Sequence, residues 1–397
     1  MKLKSILKVG AIAATVAIAA SCNNATEKTE TEEVGTKEEI VEKELKNIMS
    51  KNTAVGLAIA AVKDGEIVYT KSLGYKNLEK RIPLADNDIL RIASISKSFT
   101  ATGIMQLVEQ GKLSLDADVS DLVGFTVRNP NYPDTPVTVR MLLSHTSSMS
   151  DANGYFSINK VNPDSSSTWK KAWSNYEPGS GYQYCNLGYN TLGTILERVS
   201  GERFDKYIVN HILKPLGVYG GYDVSTLDPT RFIQIYKYDK SSKGYTCSYD
   251  AYDPQEEEIK NYIMGHSAPI FSPTGGLKIS ATDLAKVMMM HMNQGTLNGV
   301  KIIDSSSAAL MQSRITPTEN ENEYYGMAMI NSDYLIKGKM MVGHDGIALG
   351  AYTAMYWSPE ENFGLVIFTN GCEYKHDRVL ANILCETAEC VYENILK

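Results

Sequence analysis

The sequence predicts an α+β fold, with an antiparallel sheet flanked by helices plus an all-helical lobe. Three observations predict it: β-rich runs lie near both ends of the 397-residue chain, a mainly helical stretch covers roughly residues 112–262, and a helical pattern closes the C-terminus. Strands from the two ends can pair in one antiparallel sheet, so that the helical stretch forms a second lobe. A cleft between two such lobes is a common place for a binding site.

The composition is that of a soluble globular protein, with 43% hydrophobic residues and a formal net charge of −7. The acidic balance argues against a nucleic-acid partner, because no basic block offers phosphate contacts. The cysteines beyond the N-terminal region are odd in number and lack zinc-type spacing, so we expect them to be mostly buried thiols.

Residues 1–21 are predicted to be a lipoprotein signal peptide. Three lysines precede an apolar run of about a dozen residues, which is too short to span a bilayer comfortably. The run ends in Ala-Ala-Ser before Cys22, which is similar to a bacterial lipoprotein processing site; an ordinary secretory signal cut nearby is the alternative. A lipid on Cys22 would anchor the chain to a membrane. Asn23 after it favours an outer-membrane lipoprotein of the cell envelope, facing the periplasm or the cell surface.

The next segment, residues 22–38, has many acidic side chains and no apolar periodicity, so it is predicted to be a disordered tether. The folded domain then covers residues 39–397. It opens with a predicted hairpin in residues 54–78, where Asp64-Gly65 separates two β-rich runs.

A helix is predicted over residues 94–111, where apolar residues recur at helical spacing and Gly111 fits the C-cap. In the helical block the clearest helices lie within residues 186–217. The stretches 154–182 and 218–260 are rich in Ser, Asp and Gly, which favour turns, and no elements are assigned there.

The C-terminal third begins with a helix after Gly275-Gly276, capped near Ser280 or Thr282. Four β-like runs follow, YYGMAMI, MMVGHDG, AYTAMYWS and FGLVIFTN, with a turn at residues 359–362 between the last two. The chain closes with a predicted helix, RVLANILCETAECVYENIL.

Ser94 and Lys97 form a Ser-x-x-Lys pattern at the start of a predicted helix. The same pattern occurs at three other places, in the signal peptide or in irregular polar stretches. A serine hydroxyl is a weak nucleophile unless a base takes its proton, and a lysine amine does so only if its pKa falls. The helix start adds positive potential that favours developing negative charge. A capping serine with a solvated lysine is the alternative.

Two further motifs offer partners for this serine. Tyr184 and Asn186 lie in a glycine-rich loop that enters a helix, and the tyrosine is a candidate second base. His344 and Gly346 lie on a predicted strand, where a glycine lets a substrate backbone approach closely. The backbone N–H of Ile347 can pair with that of the serine as an oxyanion hole. Turn residues and a satisfied strand histidine are the alternatives.

Taken together, the motifs resemble the serine β-lactamase and DD-peptidase superfamily, in the branch that includes class C β-lactamases. The resemblance covers roughly residues 40–395. Five stretches carry it, in the family's order: RIASISKSFTATGIMQLVEQGKLSLDADV, TVRMLLSHTSSM, PGSGYQYCNLGYNTLGTILERVSG, SPTGGLKISATDLAKVM and GHDGIALGAY. It implies an α/β lobe and an all-helical lobe, no cofactor, no metal and no obligate protein partner.

By position, the resemblance implies that Ser94 is the acylated nucleophile, Lys97 its helper and Tyr184 the general base, while Asn186 binds the substrate amide. It implies a serine hydrolase that cleaves peptide or β-lactam amide bonds in the cell envelope through an acyl-enzyme. Two alternatives are a carboxylesterase on the same fold and a binding or regulatory protein that is acylated without turnover. Whether the lysine or the tyrosine takes the proton is left open.

This chain has His344-Asp345-Gly346 where many members have Lys-Thr-Gly, whose cation and hydroxyl bind a substrate carboxylate. Asp345 puts a carboxyl group on that strand, although alternation allows it to point away from the site. We therefore expect weak β-lactam turnover and a peptide or ester substrate that relies less on a carboxylate anchor. Ser148 stands where a glycine is usual, and we expect it to affect a turn.

Overall fold

The computed structural model describes residues 36–397; the predicted signal peptide and Cys22 lie outside the described residues. Within this range no helix is long and apolar enough to cross a membrane. The strands of this range are β1 (Gly56–Lys63), β2 (Glu66–Asn77), β3 (Ile82–Pro83), β4 (Leu90–Arg91), β5 (Gly220–Gly221), β6 (Tyr236–Asp239), β7 (Gly244–Cys247), β8 (Lys278–Ile279), β9 (Thr296–Leu297), β10 (Val300–Lys301), β11 (Thr316–Pro317), β12 (Tyr324–Tyr325), β13 (Ile330–Ser332), β14 (Met341–Ala348), β15 (Ala351–Ser358) and β16 (Phe363–Thr369).

The largest sheet is antiparallel and has nine strands in the order β11-β12-β13-β14-β15-β16-β1-β2-β3. At its centre β1, a strand early in the chain, pairs with β16, a strand late in the chain, and Leu57 lies opposite Thr369. The turn between β1 and β2 has φ of 50° at Asp64 and 82° at Gly65, and a two-residue hairpin of this kind needs both positive. The predicted α+β class and the predicted hairpin are confirmed.

Helices cover both faces of this sheet. The helices of the described range are α1 (Lys37–Lys51), α2 (Ser96–Glu109), α3 (Val119–Val123), α4 (Val139–Leu143), α5 (Asn186–Ser200), α6 (Phe204–Ile208), α7 (Glu256–Lys260), α8 (Ala281–Met292), α9 (Ser305–Gln312) and α10 (Asn382–Val391). Alternate residues of β1 belong to two cores, one shared with α1 and α10 and the other with α8. This burial on both faces explains the continuous apolar run GLAIAAV in that strand.

The second lobe is built mainly from helices. α2 packs on α5 and α6, and its residues 96–107 are all buried. The stretch 112–262 also contains β5 and the β6–β7 hairpin, so it is not entirely helical. The hairpin strands, YKYD and GYTC, are short and mostly polar, and such strands leave too little periodicity to be predicted from sequence.

The boundaries differ from the sequence-based expectation at both ends. α1 begins at Lys37, inside the segment predicted to be a tether, and the acidic side chains around its apolar residues hide its pattern. Its buried apolar residues recur at helical spacing and are Val41, Leu45, Ile48 and Met49. At the other end α10 starts at Asn382, after the irregular stretch that carries the first residues of the predicted closing helix.

Candidate active site

Ser94 lies in a 3₁₀ turn, Ala93–Ile95, between β4 and α2. Ala93 has φ of 50°, a left-handed conformation that costs an L-residue roughly 1–2 kcal/mol and that is found preferentially at functional sites. The side chain of Ser94 lines a cavity between the turn and β14. The left-handed backbone of Ala93, the residue before Ser94, thus distinguishes this turn from an ordinary helix cap.

Gly346 of β14 is where the sheet touches this turn. A Cβ atom there would lie 2.4 Å from the carbonyl oxygen of Ile92 and 2.5 Å from Thr353 Oγ1. Thr353 Oγ1 donates to the same Ile92 oxygen at 3.0 Å and so ties β15 to the turn. The glycine thus lets the serine turn pack on the strand, and the substrate approach expected from the sequence stays a prediction.

Lys97 is fully buried one helical turn after the serine. Its Nζ donates to Ser94 Oγ at 3.1 Å, to Asn186 Oδ1 at 2.9 Å and to the Thr274 carbonyl oxygen at 3.1 Å. Burial disfavours the charged amine and lowers the pKa of Lys97 to about 7, although the nearby Asp151 carboxylate favours the charge. Near neutral pH a large fraction of this amine is therefore uncharged and able to accept a proton.

Asp151 is a site residue that the sequence did not reveal, since an isolated aspartate in a polar loop carries no spacing signal. Its Oδ2 accepts from the Asn186 backbone N–H at 3.0 Å and from Asn186 Nδ2 at 2.7 Å, and its Oδ1 accepts from the Leu187 N–H at 2.9 Å. A carboxylate is favoured at a helix N-terminus, here that of α5. The contact also orients the Asn186 amide, whose Oδ1 accepts from Lys97 and from Thr274 Oγ1.

Tyr184 lies half-buried beside the serine, and its hydroxyl hydrogen-bonds with the Ser94 side chain. The centroid of its ring is 4.7 Å from Lys97 Nζ. Burial raises the pKa of Tyr184 well above its ordinary value, so the phenol stays protonated at neutral pH. The His145 ring packs against the Tyr184 ring at 4.4 Å between centroids, tilted by 43°, and accepts from the Cys185 N–H at 3.1 Å, so it supports the tyrosine loop.

His344 is only 2% exposed, and both of its ring nitrogens have partners. Nδ1 lies 2.6 Å from the Asp345 carbonyl oxygen and donates to it, while Nε2 lies 3.2 Å from the Tyr325 hydroxyl and accepts from it. Burial lowers the pKa of His344 to about 3. The ring is therefore neutral in this arrangement and offers no cation to a substrate carboxylate.

One cavity of about 370 Å³ is lined by the predicted site residues of the described chain except Lys97, which is buried and contacts Ser94 from inside the protein. β13 pairs with β14 only at Met341–Gly343, so the edge of β14 beyond that point is free of β13 and borders the cavity. Its lining residues are Ser94, Tyr182, Tyr184, Asn186, Thr318, Glu319, Asn320, Glu323, Ile330, His344, Asp345, Gly346, Ile347 and Val379. Three of them are carboxylic acids and none is a lysine or arginine.

Two residues that depart from the family pattern now have a position. Asp345 borders the cavity, while its Oδ1 accepts from the Tyr356 hydroxyl at 3.3 Å. Ser148 has φ of 60°, a conformation that glycine adopts without strain, and its Oγ accepts from Asn129 Nδ2 at 2.9 Å. The first departure therefore bears on the cavity and the second on a turn.

A sequence model of the family described as Beta-lactamase matches residues 41–384. Among curated proteins, the chain is similar to "Protein flp" of Staphylococcus aureus strain N315, with 25% identity over 338 residues that cover 83% of this chain and 62% of that protein. The chain thus spans about three fifths of the length of the first curated relatives it matches.

Solved structures are similar over both lobes. An octameric penicillin-binding protein homologue from Pyrococcus abyssi has a TM-score of 0.71 and 28% identity, covering 89% of this chain and 77% of that one. A D-amino acid amidase from Ochrobactrum anthropi SV3, complexed with L-phenylalanine amide, has a TM-score of 0.71 and 20% identity, covering 91% of this chain and 99% of that one. The second likeness shows the fold alone.

Proposed function

We propose, from the premise that this chain belongs to the Beta-lactamase family, that it cleaves amide bonds through an acyl-enzyme on Ser94. Membership also places it in the predicted serine β-lactamase and DD-peptidase superfamily, so it is a serine hydrolase of the β-lactamase fold. The class C branch stays a prediction.

The observation that carries the proposal is the contact of Lys97 Nζ with Ser94 Oγ at 3.1 Å, by an amine whose pKa lies near neutrality. In acylation the amine takes the hydroxyl proton as Oγ attacks the carbonyl carbon. The backbone N–H groups of Ser94 and Ile347 stabilise the oxyanion. We assign the base to Lys97 because the phenol of Tyr184 is protonated.

Collapse of the tetrahedral intermediate breaks the C–N bond and requires a proton on the leaving nitrogen. Tyr184 supplies that proton from its hydroxyl, and its phenolate then takes up the proton that Lys97 received from the serine. A water then attacks the ester carbon of the acyl-enzyme and gives its proton to the lysine amine. The C–Oγ bond breaks, the acid leaves, and Lys97 returns the proton to Ser94 Oγ, which restores the serine hydroxyl. Asn186 and Asp151 hold the lysine in place in both halves of the cycle.

The substrate is a peptide or amino-acid amide, with weak turnover of β-lactams. The neutral, buried His344 supports this choice, because it offers no cation to the carboxylate of a β-lactam. The name of one structural relative, a D-amino acid amidase, agrees with an amide substrate.

Intact-mass labelling with a fluorophosphonate and a penicillin tests the nucleophile. We expect one fluorophosphonate adduct on the wild-type protein and none on Ser94→Ala. Ser267→Ala is a matched control, since this serine lies outside the cavity lining, and it should label like the wild type. A fluorophosphonate adduct that persists on Ser94→Ala would refute the proposed nucleophile.

A substrate panel separates the alternative activities. D-Amino acid amides, p-nitrophenyl esters and a chromogenic cephalosporin report amidase, esterase and β-lactamase activity. Cephalosporin turnover on the order of 10–10³ per second, as in efficient enzymes, would overturn weak β-lactam turnover. A stable adduct without any turnover would favour the binding or regulatory alternative.

For the location we propose a lipid anchor on Cys22 in the cell envelope, which the sequence alone supports. Expression of the full chain with Cys22→Ser should move the protein from the membrane fraction to the soluble extract. Equal membrane association of both forms would contradict the anchor.

A further inference from the structure

We propose that the catalytic cavity selects substrates that carry a primary ammonium group, held by the carboxylates of Glu323 and Asp345. The inference deepens the proposed function and rests on it, because it names the substrate class of the same site. That class is amino-acid amides and esters, or peptides, with an unblocked amine close to the scissile bond.

The charge of the cavity is one-sided. Glu319, Glu323 and Asp345 line it, and none of the three forms an ion pair with another residue in the part of the chain that the structure describes. Lys97 spends its three N–H donors inside the protein and offers none to a ligand. These carboxylates would therefore repel a bound anion and attract a bound cation.

Glu323 borders the cavity, and only 9% of its surface is exposed. Its Oε1 accepts from Thr318 Oγ1 at 2.7 Å and from Asn320 Nδ2 at 2.9 Å. Among residues 36–397 no donor contacts its Oε2. That second oxygen is open to solvent and is not a buried atom without a partner, so a donor on a ligand in the cavity can reach it.

Asp345 lies close enough to Glu323 for the two charges to repel. Burial first, and then the Glu323 carboxylate, raise the pKa of Asp345 to about 6. Its one hydrogen bond from a side chain, from the Tyr356 hydroxyl, is long at 3.3 Å. An ammonium group between the two carboxylates would relieve this repulsion, and its three N–H donors suffice for both.

The neighbouring His344 does not offset this charge. Its ring is neutral and both nitrogens are engaged, so the position where many relatives place a lysine holds no cation. The side of the cavity formed by His344, Asp345 and Glu323 thus carries negative charge, whereas a site that binds a substrate carboxylate carries positive charge. We call this side the wall. An amide with a free amine fits the wall, and an acidic peptide does not.

Binding and turnover are measured separately, so that the inference and the proposed function fail in different ways. For binding, calorimetry on folded Ser94→Ala protein compares D- and L-alaninamide with their N-acetylated forms. For turnover, kcat/KM of the wild type compares the p-nitroanilides of D- and L-alanine with free, N-acetylated and N-succinylated amines. We expect the free amine to be favoured by about 10-fold or more in both, and the succinylated substrate to be slowest.

Glu323→Gln and Asp345→Asn should each lower the preference for the free amine by about 10-fold through Kd and KM, with little change for the N-acetylated compounds. Glu321→Gln is the matched control, because this exposed residue lies in the same loop but not in the cavity lining. Equal binding of free and acetylated amides, or an unchanged preference in both variants, would overturn the inference. If fluorophosphonate does not label Ser94, the proposed function fails, while the calorimetry still decides on the ammonium site.

Discussion

Lys97 and Glu323 are both buried ionisable side chains at the catalytic site, yet the surrounding protein treats them in opposite ways. Lys97 has an acceptor for each of its three donors, including Ser94, the proposed nucleophile. Glu323 keeps one carboxylate oxygen without a donor in the described chain, and the nearby Asp345 carboxylate forms no ion pair there. The first group is complete before a substrate arrives, whereas we propose that the second is completed by the substrate.

The elements that carry the two residues explain the difference. Lys97 lies in α2, and Asp151 connects its partner Asn186 to a second helix start, so the chemistry is held by rigid elements. Glu323 lies in the loop between β11 and β12, and loops vary without disturbing the core. Of the two carboxylates proposed to select the substrate, Glu323 therefore lies on a loop, whereas Asp345 lies on β14, the strand that contacts the Ser94 turn.

The largest expected effect comes from removing the amine of Lys97, whose hydrogen bonds are complete without a substrate. Lys97→Met removes the amine that contacts Ser94, and we expect kcat/KM for amide hydrolysis to fall by about 10³-fold or more. Thermal melting should hold or rise, because an apolar chain of similar length replaces a buried amine. Enzyme kinetics and a melting curve measure the two effects.

Lys278→Met is the matched control for that variant. Lys278 is also buried, and burial lowers its pKa to about 7, but its Nζ donates to the Tyr222 carbonyl oxygen at 2.8 Å and not to the serine. We expect its kcat/KM to stay within a few-fold of the wild type. Equal losses in the two variants would mean that any buried lysine of this fold matters in the same way.

The next effect tests the contact between the Ser94 turn and β14, the strand that borders the cavity. Gly346→Ala places a Cβ 2.4 Å from the Ile92 carbonyl oxygen, so the turn and β14 must separate. We expect a loss of about 1–3 kcal/mol in the free energy of unfolding, and about 100-fold in kcat/KM from the displaced serine. Gly244→Ala, where a Cβ would have only an ordinary contact of 3.4 Å, should change neither by much. Full activity of Gly346→Ala would show that the close contact is dispensable.

A smaller effect is expected from the residue that orients the lysine. Activity should rise with pH through about 7, because the deprotonated amine of Lys97 is the base. The Asp151 charge favours the protonated lysine, so Asp151→Asn lowers that pKa and moves the rise to lower pH. At the plateau we expect kcat/KM to fall about 10-fold, since the amide of Asn186 loses its charged partner. A pH profile of kcat/KM for the wild type and for Asp151→Asn measures the shift. A rise at the same pH in both proteins would show that the Asp151 charge does not affect the pKa of Lys97.

The sequence revealed the parts of this site whose signals are local. Ser94 was predictable because a Ser-x-x-Lys pattern stands at the start of a run with helical spacing, and the β1–β2 hairpin because Asp64-Gly65 lies between β-rich runs. Asp151 was not predictable, since its contact with Asn186 joins residues 35 positions apart, one in a short 3₁₀ turn and the other at the start of α5. The same holds for Glu323, whose missing partner is a property of the folded cavity and not of any spacing.

The smallest expected effect tests whether His344, beside Asp345, takes part in the reaction or in the binding of a free amine. Because burial lowers the pKa of His344 to about 3, its ring is neutral at every pH from 5 to 9 and contributes no charge to binding. His344→Gln keeps a donor for the Asp345 carbonyl and an acceptor for the Tyr325 hydroxyl, so we expect kcat/KM to change less than about 3-fold. The rise of activity through pH 7 and the preference for a free amine should both stay as in the wild type. If His344→Gln instead abolished activity on N-succinylated substrates and spared the free amines, the histidine would be a cation in the working enzyme, and the inverted polarity of this wall would be wrong.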